Sequence, residues 1–143
     1  MIIKDQKYSI VRRWSPINLK YSKQREAIKS YLISRKDHPT ADQIYTAVRN
    51  DYPNISLGTV YRNLALLEEV GEIQRLHVNG NTDRFDGDVS NHYHFLCDCC
   101  GCVQDIPLEI QTSLTEKAQK HFDGIIDYYS TCFHGKCKNC CEQ

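Results

Sequence analysis

The chain has 143 residues, with 18 Lys and Arg balanced by 18 Asp and Glu, 41% hydrophobic residues, 6 His and 8 Cys. This is a globular composition that excludes wholesale disorder and fibrous repeats, and no stretch approaches the roughly 20 apolar residues of a membrane helix. Lys4, Asp5 and Lys7 break up the opening MIIKDQKYSI, which is therefore no secretory signal, so the expectation is a cytoplasmic protein with no membrane partner.

The neutral total conceals an asymmetry. Residues 1–80 carry 13 basic and 8 acidic side chains, whereas residues 81–143 carry 5 and 10. A basic half suits a polyphosphate partner, and an acidic half can hold cations. All eight cysteines fall in the second half, and clustered C-x-x-C pairs without a signal peptide read as metal ligands before disulfides.

From Ser22, the apolar residues Ala27, Ile28, Tyr31 and Leu32 recur at helical spacing until Lys36-Asp37-His38-Pro39, which predicts a first helix. Thr40-Ala-Asp-Gln43 has the spacing of a capping box, and Ile44, Ala47 and Val48 share one face of a second helix ending near Asp51. Ser56 is a plausible N-cap for a third helix from about Leu57 to Val70, with Val60, Leu64 and Leu67 as its apolar stripe and Gly71 at C′. Strand-like runs follow at Ile73 to Val78 and Thr82 to Asp86, joined through Asn79-Gly80, a strong hairpin signal.

Three helices and a hairpin are the order of a winged helix-turn-helix, whose third helix enters the major groove. Here its first turns carry Ser56, Thr59, Tyr61 and Arg62 at polar positions. Thr59 and Tyr61 can reach phosphates, and Arg62 can reach a phosphate or a guanine edge of double-stranded DNA.

In the acidic half, Asn91 to Cys97 alternates as a strand, which puts His92 and His94 on one face, where two imidazoles can meet one metal. Asp86, Asp88 and Asp105 lie close by in sequence. Cys102 to Ile106 reads as a second strand, Pro107 as the start of a helix through Leu114 and Phe122 to Gly124, and Ile125 to Phe133 as a third strand with Cys132 buried on it. A lobe this thin needs a staple. Cys97-x-x-Cys100 and Cys137-x-x-Cys140, 36 residues apart, can supply one as a closed tetrahedral thiolate site for structural Zn²⁺ that folds the last strand back against the first. Cys99-x-x-Cys102 and Cys141 offer alternative ligands. Gly101, directly after Cys100, favours the 97/100 register.

Together these motifs resemble the ferric uptake regulator family over roughly residues 20–141: His38-Pro-Thr-Ala-Asp-Gln-Ile-Tyr45, Thr59-Val-Tyr-Arg-Asn-Leu64, Arg84-Phe-Asp86, His92-Tyr-His94, and the two cysteine pairs. The resemblance implies an α+β chain with a winged-helix DNA-binding domain at 1–86 and a small dimerisation and metal-binding domain at 87–143. It also implies a homodimeric repressor rather than an enzyme, with Zn²⁺ on the cysteines and a regulatory Fe²⁺ or Mn²⁺ held by His38, Asp86, His92, His94 and Asp105. Asp at 86 and 105 and the Asn91-His92-Tyr93-His94 run look like the peroxide-sensing branch, in which the histidines matching His38 and His92 are oxidised. Arg62 looks more like the iron-sensing members, and an iron- or other metal-responsive repressor is the alternative. A more distant one is a non-haem iron enzyme using two His and a carboxylate. Tyr128-Tyr129 stand where many iron sensors place a His of a further metal site, so no third site is expected. The Arg12-Arg13-Trp14 segment, longer than the family leads one to expect, can add a DNA or dimer contact.

Overall fold

Helix α1 (Lys23–Ile33) begins where the Ser22 hydroxyl accepts from the Arg25 backbone N–H, and it points Ile28 and Leu32 inward. A computed structural model describes residues 19–78 and 82–142, so the Asn79-Gly80 turn and Arg12-Arg13-Trp14 lie outside the described residues. In α2 (Ala41–Val48) both arms of the expected capping box form, Gln43 N–H to Thr40 Oγ1 at 3.3 Å and Thr40 N–H to Gln43 Oε1 at 2.9 Å. Helix α3 (Leu57–Glu69) is capped by Ser56, and Gly71 stands at C′ as its sequence suggests. The three apolar stripes meet in a core of Ile28, Leu32, Ala41, Ile44, Val48, Ile55, Val60, Leu64, Leu67, Ile73 and Phe85. Each large member contributes about 1.5–3 kcal/mol by leaving water.

Strands β1 (Gln74–Val78) and β2 (Thr82–Asp86) pair antiparallel as the wing. An isolated antiparallel bridge between Thr40 and Arg84, and within it the Phe85 N–H to Pro39 carbonyl bond of 3.0 Å, tie β2 to the residues before α2. They set His38 beside Asp86. Gly87 follows, so close to the end of α1 that a Cβ there would lie 2.7 Å from the Ile33 nitrogen. Any larger residue would push the end of the wing outward.

The second half is a three-stranded sheet in the order β4-β3-β5: β3 (Tyr93–Cys97) lies between antiparallel β4 (Val103–Ile106) and parallel β5 (Cys132–Gly135). The last strand does return against the first, as the cysteine spacing implies. Three expectations need correction. The helix after Pro107 starts later, as α4 (Thr112–Gln119), because the Tyr93 and Tyr129 hydroxyls both accept from the Gln111 N–H at 3.1 Å and hold that residue out of helix. It also ends before Gly124. The Gln119 side chain turns back to bond the Phe122 and Gly124 carbonyls and the Ile126 N–H, fixing the exit loop. Ile126 is thereby held in the exit loop, the strand runs only from Cys132 to Gly135, and Cys132, at its open end, is exposed rather than buried. A short helix α5 (Lys138–Cys141) closes the described chain.

Candidate functional site

Among the described residues, two groups of side chains are placed to hold a metal ion, and they are the two sets expected from the sequence: Cys97, Cys100, Cys137 and Cys140, and His38, Asp86, His92, His94 and Asp105. In each, one potential donor atom per residue lies within 4.8 Å of all the others.

The histidine–carboxylate cluster is assembled from five separate places. His38 leaves the loop between α1 and α2 with φ 49, a left-handed conformation unusual for a residue with a Cβ. Asp86 ends β2, His92 precedes β3, His94 lies on β3, and Asp105 lies directly opposite His94 on β4. Asp86 Oδ2 is 3.4 Å from His38 Nε2, 3.1 Å from His92 Nε2 and 3.2 Å from His94 Nε2. Asp105 Oδ1 is 2.9 Å from His38 Nε2 and 3.2 Å from His92 Nε2. Edges of about 3 Å are those of a coordination polyhedron with bonds of about 2.1 Å.

Orientation makes the stronger case. His38 Nε2, His92 Nε2 and Asp105 Oδ1 are buried, yet none has an aligned hydrogen-bond partner despite those short separations. Buried polar atoms left unpaired are costly, and atoms that converge on a common point without bonding one another suit a cation there. The donor set fits as well. His92 Nδ1–H donates to the Ser90 carbonyl at 2.8 Å, which leaves Nε2 as the free lone pair. Three imidazoles and two carboxylates are ligands that Fe²⁺ or Mn²⁺ accepts.

The cluster's own charges reinforce one another. The adjacent Asp86 carboxylate pushes the His92 pKa up to about 9, against the opposing effect of burial. Burial opposes the ionisation of Asp86, but the His38, His92 and His94 imidazoles beside it hold its carboxyl well below the usual carboxylate range. For His38, burial lowers the pKa and the nearby Asp86 carboxylate raises it, with a net rise.

Four thiols make up the other cluster. Cys100 Sγ and Cys137 Sγ are 3.7 Å apart, close to the ~3.8 Å edge of a tetrahedron with 2.3 Å Zn–S bonds. The Cys100 and Cys137 backbone N–H groups lower the Cys97 thiol to about 6, so a thiolate is favoured there. All eight cysteines are free. Cys102 is half-buried and its thiol is pushed up to about 12, first by burial and then by the neighbouring Cys100 and Cys137 thiols. Cys99, Cys132 and Cys141 are exposed and stand outside the four-thiol set.

On α3, Tyr61 and Arg62 are exposed in the first turns. The Ser56 hydroxyl caps the Thr59 N–H at 3.1 Å, and Arg62 Nη2 donates to Thr59 Oγ1 at 3.2 Å, so Ser56, Thr59 and Arg62 form one hydrogen-bonded chain on this helix.

Several neighbours of the cluster are not evident from sequence spacing. Lys36 Nζ lies 3.6 Å from Asp105 and 3.3 Å from Asp88, which is therefore drawn to the lysine and not into the cluster. Arg84 donates to the His38 carbonyl, and Ser90 sets the His92 ring. Such partners up to 52 residues apart leave no periodicity to read. The left-handed backbone at His38 runs against its local sequence, since a residue directly before proline is ordinarily extended.

The chain has relatives among known regulators. The pattern of the ferric uptake regulator family matches residues 17–128. The peroxide-responsive repressor PerR of Staphylococcus aureus strain Mu50 is 37% identical over 122 residues, 85% of this chain and 82% of that protein. That of strain USA300 is 38% identical over 117 residues, 82% and 79% of the two chains. Among solved structures, the Helicobacter pylori ferric uptake regulator Fur, described as having three functional metal binding sites, matches with a TM-score of 0.76 at 29% identity, covering 87% of this chain and 84% of that one. The Campylobacter jejuni peroxide stress regulator matches with a TM-score of 0.67 at 30% identity, covering 82% and 88%. With most of its length inside the family's pattern and close relatives over the same span, this chain belongs to the ferric uptake regulator family.

Proposed function

We propose that this chain is a metal-dependent, dimeric, DNA-binding repressor that senses hydrogen peroxide through metal-catalysed oxidation of two of its own ligand histidines, His38 and His92. The convergence of buried, unpartnered donor atoms from both halves of the chain carries the reading. Its relatives in Staphylococcus aureus, named as peroxide-responsive repressors, support it. The chain is a regulator and not an enzyme, in keeping with that family.

In this reading Cys97, Cys100, Cys137 and Cys140 hold a structural Zn²⁺. His38, Asp86, His92, His94 and Asp105 hold a regulatory Fe²⁺ or Mn²⁺. Bound there, Fe²⁺ supplies one-electron chemistry toward peroxide that Mn²⁺ does not readily supply. His38 and Asp86 belong to the 1–86 unit and the other three ligands to 87–143, so all five together fix the angle between the units. A cavity of about 220 Å³ beside β1 reaches the rings of His92 and His94 and gives a small reactant a way in. In net terms an imidazole C–H becomes C=O, with the hydrogen moved to a ring nitrogen: one oxygen of peroxide enters the ring, the other leaves as water, and the ring gives up the two electrons that peroxide accepts. The altered ring is a poorer donor, and loss of His38 or His92 from the set frees the loop leading into α2.

DNA recognition follows from α3 as the groove-entering helix. Tyr61 and Arg62 face outward, Ser56 and Thr59 border them, and the basic first half draws the unit to phosphates of operator DNA. A second copy of the chain suits the opposite end. Helix α4 buries none of its residues, and Leu114, Phe122 and Ile125 are 47%, 56% and 85% exposed. Apolar surface of that extent marks an interface. A reducing cytoplasm keeps the thiolates available for zinc.

The test compares the Fe²⁺ and Mn²⁺ forms after a low dose of H₂O₂, by peptide mass spectrometry and operator binding. His38 or His92 should gain one oxygen in the Fe²⁺ form alone, with DNA affinity falling in proportion. Oxidation confined to cysteines, or equal DNA release from both forms, would overturn the peroxide reading. The iron-responsive alternative draws on the likeness to the Helicobacter pylori regulator and on Arg62. It predicts DNA release on iron removal with no oxygen added.

A further inference from the structure

Arg84 stands between the two clusters and is a ligand in neither. Its Nη2 donates to the Gly101 carbonyl at 2.9 Å, and its Nη1 to the His38 carbonyl at 3.3 Å. Gly101 directly follows Cys100 in the cysteine knuckle and has φ 69; His38, in the other cluster, has φ 49. One guanidinium therefore grips the carbonyls of two left-handed residues, one at each cluster. Arg84 Nε is shut from water, and both bonds are partly buried, which strengthens them over exposed ones. A non-glycine residue keeps a left-handed backbone only when its surroundings hold it there. Around His38 those surroundings are the Arg84 bond and the Phe85 to Pro39 bond.

We propose that Arg84 is a positioning residue that couples the cysteine knuckle to the histidine–carboxylate centre by holding His38 in its ligating conformation against the Gly101 carbonyl. The inference rests on reading the two clusters as structural and regulatory metal centres. The fork geometry matters, because two carbonyls in different lobes need two N–H vectors on one rigid group. With Arg84 gone, the His38 backbone can relax toward negative φ, and its Nε2 leaves the point shared with Asp86 and Asp105. A strained knuckle would act on His38 by the same route.

The test uses the full-length, zinc-loaded protein, with Mn²⁺ affinity and zinc content as readouts. Arg84→Met should weaken Mn²⁺ binding about ten-fold, the size expected when a partner behind a ligand is lost, and keep its zinc. Arg84→Lys, with one ammonium for two carbonyls, should fall in between. A Cβ at Gly101 meets nothing within 4 Å, so Gly101→Ala perturbs the backbone conformation alone. It should weaken Mn²⁺ binding several-fold in the otherwise unaltered protein and have no further effect beside Arg84→Met, because the path is already cut. Independent effects that multiply in the double variant would overturn the coupling. So would unchanged Mn²⁺ affinity in Arg84→Met, or loss of zinc from it, which would make Arg84 part of the knuckle's own fold. Mn²⁺ binding that survives His92→Ala intact would instead overturn the regulatory-centre reading, and this proposal with it.

Discussion

Between Ile28 and Phe85 the chain encloses eleven apolar residues that are at most 4% exposed, whereas beyond Gly87 the buried apolar set among the described residues is Tyr93, Leu96, Cys97, Val103 and Cys137. Two of those five are thiols of the cysteine cluster, and neither α4 nor α5 buries a residue. The first half therefore has a core of its own. The second is a thin sheet that, in the proposed reading, is stabilised by Zn²⁺ clipping β3 to the C-terminal segment and by a second copy over α4. The difference explains why a charge-neutral chain is built from unlike halves. In the proposed reading the first unit keeps its shape against DNA when the metal centre changes, while the second supplies three of the ligands and the contact with a second copy.

The most severe way to break this comparison is to remove one thiolate. Cys100→Ser or Cys140→Ser should lose Zn²⁺ and the dimer together while the helices of the first half persist, as read by metal analysis, sizing and circular dichroism. Structural zinc supplies apparent binding energies of about 10–16 kcal/mol in small domains, a large share of what can hold so thin a lobe together. Cys99→Ser and Cys102→Ser should keep both metal and dimer. A folded, zinc-loaded dimer of Cys100→Ser would refute the 97/100 register.

The converse perturbation is Leu64→Ala, at a fully buried position of α3. It should cost about 2–5 kcal/mol in denaturant unfolding and leave the zinc content intact. Zinc loss in this variant would mean that the halves do not stabilise themselves separately.

The smallest effect lies at the junction. His92 is charged near neutral pH in the metal-free cluster, because Asp86 pushes its pKa up to about 9 from an ordinary 6.5. Its contribution to the metal-free fold is complete below about 6.5 and is lost as pH rises through about 9. A cation must displace that proton, so Mn²⁺ binding near neutral pH should release protons, and its affinity should climb with pH until His92 is neutral. Calorimetry in buffers of different ionisation enthalpy measures the release. Binding without proton release would show His92 to be neutral beforehand.

The residues themselves disclose much of this. Three helices and a wing follow from caps at Ser22, Thr40 and Ser56, from apolar stripes at helical spacing, and from Gly71, because these are local choices with short-range physics. The four clustered thiols and the His92–His94 pair are legible too, since C-x-x-C and H-x-H spacings carry metal geometry within a few residues, whereas His38 joins that pair only through the resemblance to the family. The second half was harder to read where backbone groups are claimed by distant side chains. Pro107 looks like a helix start, but the phenols of Tyr93 and Tyr129 take the Gln111 N–H, and Gln119 turns back on its own exit loop. Only the tertiary structure decides that His38 adopts a left-handed backbone, that Lys36 draws Asp88 aside, and that Arg84 joins the two clusters. Each depends on a pairing between segments far apart in the chain. Residue type and spacing determine which groups can form such pairs, and the packing of one half against the other selects the ones that do.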